Sequence, residues 1–220
     1  MTARFAILAY PGVEPIDIGA SFGVFSMAKR IVPGLSFQVI AKEREVEMAN
    51  GLTILAQGGL DRVPEADCLI VLGGPGWVEV AEDRQTLDFL RAARARGRTL
   101  AAICTGGMIL AAAGLLEGRR ATTKSEIVAG ETSPLALLGE RPGIEALPAR
   151  IVDTGEIVTG GGVSLGIDMT LYLLGRFCGE EARAETARIL EYAAAWQANA
   201  ARLPDLVAIP QAIAAPSSAK

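Results

Sequence analysis

The sequence predicts an α/β fold in which helices cover both faces of a mostly parallel β-sheet. Short apolar runs typical of strands alternate along the chain with segments whose apolar residues recur at helical spacing. Two of the runs, residues 68–72 and 99–103, are apolar at nearly every position. Such runs are expected of parallel strands that are buried on both faces.

The predicted strands are apolar runs that end at turn residues. Pro11-Gly12 follows the first strand, and Gly73-Gly74-Pro75-Gly76 follows the third. Glycine and proline interrupt regular structure, so both segments are expected to be turns. In chain order, the predicted strands cover residues 4–10, 36–41, 68–72, 99–103 and 120–123.

The predicted helices bury one face against the sheet. Between residues 83 and 96, Leu87, Leu90 and Ala93 form an apolar stripe, and Gly97 marks the end of the helix. In chain order, the predicted helices cover residues 16–32, 83–96, 105–113, 167–177 and 180–195.

Two hairpins are also predicted. Asn50-Gly51 lies between two strand-like runs within residues 46–56, and this dipeptide favours the tight turn of a hairpin. We expect this hairpin at one edge of the sheet. The run RIVDTGEIVTGGG, residues 150–162, predicts the second hairpin.

The 220 residues predict one domain over residues 1–196 and an Ala/Pro-rich, mobile tail over 197–220. The chain lacks a signal-peptide pattern, and polar residues interrupt its long apolar runs, so we expect a cytoplasmic protein without a membrane partner. Three widely spaced cysteines without a CxxC motif indicate a reducing compartment. The net charge of −4 argues against nucleic-acid binding.

The sequence contains no histidine, which excludes every catalytic triad and metal site that depends on imidazole. With no imidazole available, the site requires some other acid–base group. Ligands of open α/β sheets bind outside the carboxyl ends of the strands. The residues that directly follow the predicted strands are thus the candidates.

Cys104 is the strongest candidate, because it lies between a buried strand and a helix that begins with small residues. This strand–turn–helix placement is typical of a nucleophile elbow. Partial positive charge at a helix N-terminus lowers the pKa of a thiol, so we expect an activated nucleophile. Cys68 and Cys178 are expected to be structural, since the first starts a buried strand and the second ends a helix.

Asp17 and the Gly73-Gly74 turn are expected at the same edge of the sheet as Cys104. Asp17 is either a helix N-cap or a carboxyl that exchanges protons with the thiol and the substrate. The backbone amides after Leu72 could stabilise a developing anion, and Gly74 is the better donor because Pro75 lacks an N–H group. The run 160–162, with Asp168 beyond it, is a weaker candidate for a substrate-facing turn.

The segments AAICTGGMILAAAGLLEGRRATT, YPGVEPIDIG, VLGGPG and VTGGGVSLGIDMTL resemble the ThiJ/PfpI superfamily of class I glutamine-amidotransferase-like proteins. The resemblance covers about residues 4–195 and implies a flavodoxin-like three-layer sandwich that forms a homodimer. Cys104-Thr105 stands where the amidase and protease branch has Cys-His, and Asp17 stands where many relatives have Glu. Both features are similar to the branch that hydrates isonitriles. This similarity implies a small-molecule substrate and a reaction without a metal or an organic cofactor.

The resemblance implies roles for five residues. Cys104 is the nucleophile, Asp17 the acid–base residue, and Thr105 the neighbour that positions the thiol and water. Gly73 and Gly74, together with the Thr105 amide, would bind substrate and stabilise negative charge. Relatives of the isonitrile-hydrating branch have Ala-Thr-Thr-His after the elbow helix, whereas this chain ends the same motif with Lys124.

Two alternatives use the same thiol. The first is hydration of a reactive carbonyl such as methylglyoxal through a hemithioacetal. The second is a redox or ligand sensor in which Cys104 is oxidised or occupied without turnover. Relatives of this kind that bind DNA carry a helix-turn-helix extension, which we do not expect in residues 197–220.

Overall fold

A computed structural model of the protein describes residues 2–61 and 65–207. Its centre is a seven-stranded sheet with the order β11-β9-β10-β6-β5-β1-β2. The strands are β1 (Ala3–Leu8), β2 (Leu35–Ile40), β5 (Cys68–Val71), β6 (Thr99–Ala102), β9 (Ile151–Asp153), β10 (Ile157–Gly160) and β11 (Asp205–Val207).

Five adjacent strands of this sheet run parallel, from β2 through β1, β5 and β6 to β10. The pair β9 and β11 continues the sheet beyond β10 in the opposite direction. Every residue of β5 is buried, which agrees with its place in the middle of the sheet. The predicted α/β class with a mostly parallel sheet is confirmed.

Two groups of helices pack around this sheet. In one group, the first helical segment packs against the helices of residues 165–178 and 180–189. In the other, the helix of residues 84–95 packs against that of residues 106–112. The first helical segment contains a π-helical stretch, Gly19–Gly23, between two α-helical ones. The helices are α1 (Pro15–Ile18), α2 (Val24–Ala28), α3 (Trp77–Val80), α4 (Arg84–Ala95), α5 (Gly106–Ala112), α6 (Pro134–Gly139), α7 (Leu165–Cys178), α8 (Glu180–Ile189) and α9 (Ala193–Arg202).

Both predicted hairpins are present. β9 and β10 pair antiparallel in the central sheet. β3 (Glu45–Glu47) and β4 (Thr53–Leu55) also pair antiparallel, but they form a separate two-stranded sheet, so the expected placement at an edge of the main sheet is wrong. The hairpin is instead bonded to the turn after β1, because the Gly12 N–H donates to the Glu47 carbonyl at 2.9 Å.

The predicted strand near residue 120 also lies outside the central sheet. It is β7 (Arg119–Ala121), which pairs in parallel with β8 (Ile144–Ala146). These two strands form a third, two-stranded sheet. Residues 122–124, which follow β7, nevertheless reach the carboxyl edge of the central sheet, where they contact the elbow described below.

The predicted domain end at residue 196 is wrong. α9 continues to Arg202, and β11 adds a strand to the sheet. The cause is Arg150, a buried guanidinium that pairs with both carboxylate oxygens of Asp205 at 2.8 and 2.6 Å and stacks on Trp196 at 4.0 Å. Its third partner is Asp168, at 3.0 Å. The rest of the expected tail, residues 208–220, lies outside the described residues.

The Arg150 cluster predicts a large cost for removing one charge. Arg150→Met leaves two carboxylates without their cation, and we expect it to lower the free energy of unfolding by about 3–5 kcal/mol. Urea denaturation measures this loss. Arg188→Met is the matched control, because Arg188 forms an exposed pair with Glu185 and its loss should have little effect. Equal stability of wild type and Arg150→Met would contradict the account.

Candidate active site

Four turns meet at the carboxyl edge of the parallel strands. The turn after β1 leads into α1, which carries Asp17, while the turn after β5 carries Gly73, the turn after β6 carries Cys104, and the turn after β10 carries Gly161. Since β10, β6, β5 and β1 are neighbours in the sheet, these four turns are neighbours as well. The structure therefore brings the candidate residues together at the carboxyl ends of the strands, where the sequence analysis expects them.

Cys104 occupies a strained turn between β6 and α5. Its φ of 55° lies in the left-handed region, which a cysteine adopts only when neighbours hold it there. The Cys104 N–H donates to the Gly161 carbonyl at 3.1 Å, and the Cys104 carbonyl accepts from the Thr123 hydroxyl at 2.6 Å. Gly106 makes the turn possible, because a Cβ there would lie 2.3 Å from the Val71 oxygen.

The Cys104 side chain is buried, and the backbone amides of Thr105 and Val163 are close enough to lower the pKa of its thiol. Val163 has a φ of 56°, so a second strained residue lies beside Cys104. A left-handed valine is unusual because its branched Cβ crowds the backbone. No local pattern in the sequence indicates this part of Val163 in the site.

The expected depressed thiol pKa is wrong. Burial and the nearby charge of Asp17 raise the pKa of Cys104 to about 12, and the two amides only partly offset this rise. Desolvation of the thiolate therefore outweighs the helix terminus. The resting nucleophile is a thiol that must lose its proton during attack.

Asp17 is not a helix cap. Glu14 occupies the N-cap position of α1, and Asp17 is the third residue of that helix. Its Oδ2 accepts from the Gly73 N–H at 2.8 Å, while Oδ1 is buried without a hydrogen-bond partner among the described residues. Burial, as the largest cause, raises the pKa of Asp17 to about 7. The carboxyl is thus able to take and release a proton near neutral pH.

The two glycine amides have other partners than the expected anion. Gly73 N–H binds Asp17, and Gly74 N–H donates to the Thr105 hydroxyl at 2.9 Å. In the structure these two amides orient the side chains of Asp17 and Thr105, and Gly74 also lines the cavity described below. That Gly73 and Gly74 bind substrate stays a prediction. A Cβ on Gly73 would lie 2.5 Å from the Thr105 nitrogen, so this close approach requires glycine.

Tyr10 is a buried residue of the site that sequence reasoning missed. Its hydroxyl donates to the Leu72 carbonyl at 2.9 Å, and the nearby Thr105 side chain lowers the pKa of Tyr10 in part. Burial and the charges of Asp17 and Cys104 keep its pKa well above the usual value. Tyr10 is the last residue of the first predicted strand, and the apolar pattern there gave no sign of a polar role.

A cavity of about 560 Å³ opens in front of Cys104. Its wall is mainly apolar, and its charged residues among those described are Glu14, Lys124 and Glu131. This composition suits a small organic molecule with an apolar body. The lining residues are Glu14, Ile16, Gly74, Pro75, Trp77, Cys104, Thr105, Lys124, Ile127, Glu131, Thr132, Pro134, Leu137 and Val163.

Asp168 and the two remaining cysteines lie outside the cavity, whereas the glycine run 160–162 contacts Cys104. Asp168 belongs to the Arg150 cluster and also accepts from Tyr192 and Asn199, at 2.8 and 2.9 Å. The glycine run before Val163 does contribute, since the Gly161 carbonyl holds Cys104. Cys68 is buried in β5 and Cys178 lies at the end of α7, and neither lines the cavity.

Two further findings concern the described residues as a whole. Within residues 2–61 and 65–207, no group of three or more acidic or cysteine side chains is placed to hold a metal ion. Within the same ranges, no helix combines the length and the apolar character needed to cross a membrane.

The amino-acid sequence is similar to those of two kinds of known protein. Isonitrile hydratase from Pseudomonas putida is 32% identical over 198 residues, which are 89% of this chain and 81% of that protein. The HTH-type transcriptional regulator GbdR of Pseudomonas aeruginosa is 34% identical over 151 residues, which are 68% of this chain but only 39% of the regulator.

Solved structures show the same fold. A ThiJ/PfpI family protein from Pseudomonas syringae superposes with a TM-score of 0.73 and 25% identity, over 87% of this chain and 76% of that one. Drosophila melanogaster DJ-1beta gives 0.73 at 21% identity, over 87% and 98%. Residues 3–176 match the DJ-1/PfpI family, the group that the sequence motifs indicate. The chain belongs to the DJ-1/PfpI family.

Proposed function

We propose that this protein is a cysteine-dependent enzyme that hydrates an isonitrile to an N-substituted formamide. The observation that carries the proposal is the buried Cys104 thiol in the wall of an apolar cavity, with the half-satisfied Asp17 carboxyl close enough for its charge to act on the thiol. The similarity to isonitrile hydratase supports the same chemistry. Neither metal nor organic cofactor enters any step.

In the first step, the sulfur of Cys104 bonds to the terminal carbon of the isonitrile. Asp17, as the carboxylate, takes the thiol proton and delivers it to that same carbon, which gives a thioimidate, Cys104–S–CH=N–R. The proton count balances because the thiol hydrogen ends on carbon. The amides of Thr105 and Val163 stabilise the sulfur while it carries negative charge.

In the second step, water adds to the thioimidate carbon. As the C–O bond forms, Asp17 accepts one proton from this water and passes it to the imine nitrogen, which gives the tetrahedral intermediate Cys104–S–CH(OH)–NH–R. The C–S bond then breaks, Asp17 transfers the hydroxyl proton to the sulfur, and the formamide R–NH–CHO leaves. One isonitrile and one water are consumed, and the enzyme returns to its starting state.

Thr105 completes the arrangement. Its hydroxyl accepts from the Gly74 N–H at 2.9 Å and donates to the Gly74 carbonyl at 3.2 Å, at the wall of the cavity in which the water must lie. We assign Thr105 the role of positioning thiol and water. We also propose that the protein is a homodimer in the cytoplasm, which sedimentation and cell fractionation can test.

Replacement of the nucleophile should abolish turnover. We expect Cys104→Ala to lower the rate of formamide formation from an aryl isonitrile by at least about a thousandfold, because no thioimidate can form. Absorbance follows the product. Cys178→Ala is the matched control, since this half-buried cysteine lies outside the cavity and its loss should leave the rate unchanged. Full activity of Cys104→Ala would refute the mechanism.

Asp17→Asn should cost about 100-fold or more in kcat while the protein stays folded. The amide can still accept the Gly73 hydrogen bond, but it cannot transfer a proton between sulfur and carbon. Steady-state kinetics with a thermal melt as the folding control measures both parts. Wild-type kcat in the folded variant would contradict the assigned role.

The pH profile follows from the two shifted pKa values. The mechanism needs a protonated Cys104 thiol and an ionised Asp17 carboxylate. Below about pH 7 Asp17 is protonated and cannot accept the thiol proton. We therefore expect kcat/KM to fall about tenfold for each pH unit below 7 and to reach a plateau above it. A profile that stays flat between pH 5 and pH 8 would contradict the requirement for an ionised Asp17.

The same assay separates the alternatives. Loss of methylglyoxal without formamide formation would favour carbonyl hydration by the same thiol. The similarity to GbdR favours a ligand sensor as the second candidate. In that case ligands would bind without turnover, and peroxide would add oxygen to Cys104 in intact-mass spectra.

A further inference from the structure

Lys124 stands out in the cavity wall because the proposed chemistry does not use it. Among the described lining residues, it supplies the one positive charge. Its aliphatic stem packs closely on Gly162, where a Cβ would lie 2.7 Å from the Lys124 side chain. Gly162 therefore makes room for the stem and fixes where the ammonium leaves the wall.

The ammonium of Lys124 is not neutralised within the protein. Its Nζ donates to the backbone carbonyl of Glu126, and it forms no ion pair within 4.0 Å among residues 2–61 and 65–207. A neutral carbonyl is a replaceable partner. A carboxylate in its place would make a charge-assisted hydrogen bond, which is about twice as strong.

The two carboxylates of the cavity have different surroundings. Glu131 accepts the Val128 N–H at 3.2 Å and stabilises its own loop. Glu14 lies beside the Gly73-Gly74 turn, since its N–H donates to the Gly73 carbonyl at 2.9 Å, and its charge contributes to the raised pKa of Asp17. A substrate anion is thus disfavoured near Glu14 and favoured beside Lys124, so the charges also set the orientation of the molecule.

We propose that Lys124 determines substrate specificity by binding an anionic group at the end of the isonitrile that is remote from the reacting carbon. The inference rests on the proposed hydratase function and names its substrate class: isonitriles with an apolar body and a distal carboxylate. The isonitrile carbon then points to Cys104, and the carboxylate takes the place of the Glu126 carbonyl at Nζ.

Three matched substrates test the proposal: 4-isocyanobenzoate, the neutral 4-isocyanotoluene and the cationic 4-(trimethylammonio)phenyl isonitrile. We expect wild type to prefer the carboxylate, and Lys124→Met to lower the ratio of kcat/KM for carboxylate over neutral substrate at least about fivefold. The change should lie in KM, because the distal contact is the same before and during reaction. Lys124→Arg should keep the preference.

The ratio isolates specificity from reactivity. Lys124 also lowers the pKa of the Cys104 thiol. Removal of its charge changes the reactivity of the thiol toward all three substrates equally, so this effect cancels in the ratio of kcat/KM values. Met keeps the stem on Gly162 and serves as the shape control, with a thermal melt to confirm folding. An unchanged ratio in Lys124→Met, or a preference of wild type for the cation, would overturn the proposal.

A binding measurement tests the role of Lys124 even if the protein hydrates none of the three isonitriles. Calorimetry of 4-isocyanobenzoate with Cys104→Ala, with and without Lys124→Met, reports the contact in the absence of turnover. At least about fivefold weaker binding in the double variant supports the role of Lys124 even if the hydratase proposal fails. Equal binding would refute the role of Lys124 whatever the reaction is.

Discussion

The burial of two acids, Cys104 and Asp17, governs the electrostatics of this site. Both groups are desolvated, and the charge of Asp17 raises the pKa of the thiol. Burial of a charge is costly in a protein interior, so each group favours its neutral form. Asp17 is the easier of the two to ionise. Near neutral pH the site therefore contains a neutral thiol and a carboxyl that can change charge, and our proposal gives this carboxyl the proton transfer for which many enzymes use histidine.

The backbone makes this pairing possible. Cys104 and Val163 are both held at positive φ, and the first is fixed from two sides by Gly161 and Thr123. Glycines at 73 and 106 allow neighbouring turns to approach more closely than any side chain would permit. The buried Arg150 cluster connects to the same framework, because the Arg150 carbonyl accepts from Gly161 N–H at 3.1 Å. Structural and catalytic demands thus share one set of turns.

Much of this was predictable from sequence, because it depends on local patterns. Continuous apolar runs identified the buried strands, and the position of Cys104 after residues 99–103 identified the elbow. Contacts between distant segments could not be predicted in the same way. The partners of the Gly73 and Gly74 amides depend on side-chain orientation, and the docking of residues 197–207 depends on one buried arginine. The thiol pKa was wrongly predicted because burial, which no local pattern reports, outweighs the helix terminus.

The central claim is that Asp17 gains and loses its proton near neutral pH. Carbon-13 NMR of the aspartate carboxyl groups, assigned by comparison with Asp17→Asn, measures that titration directly. We expect the signal of Asp17 to titrate with a midpoint near pH 7. A midpoint near the ordinary aspartate value, about 3.9, would mean that burial does not control this carboxyl and would contradict the account.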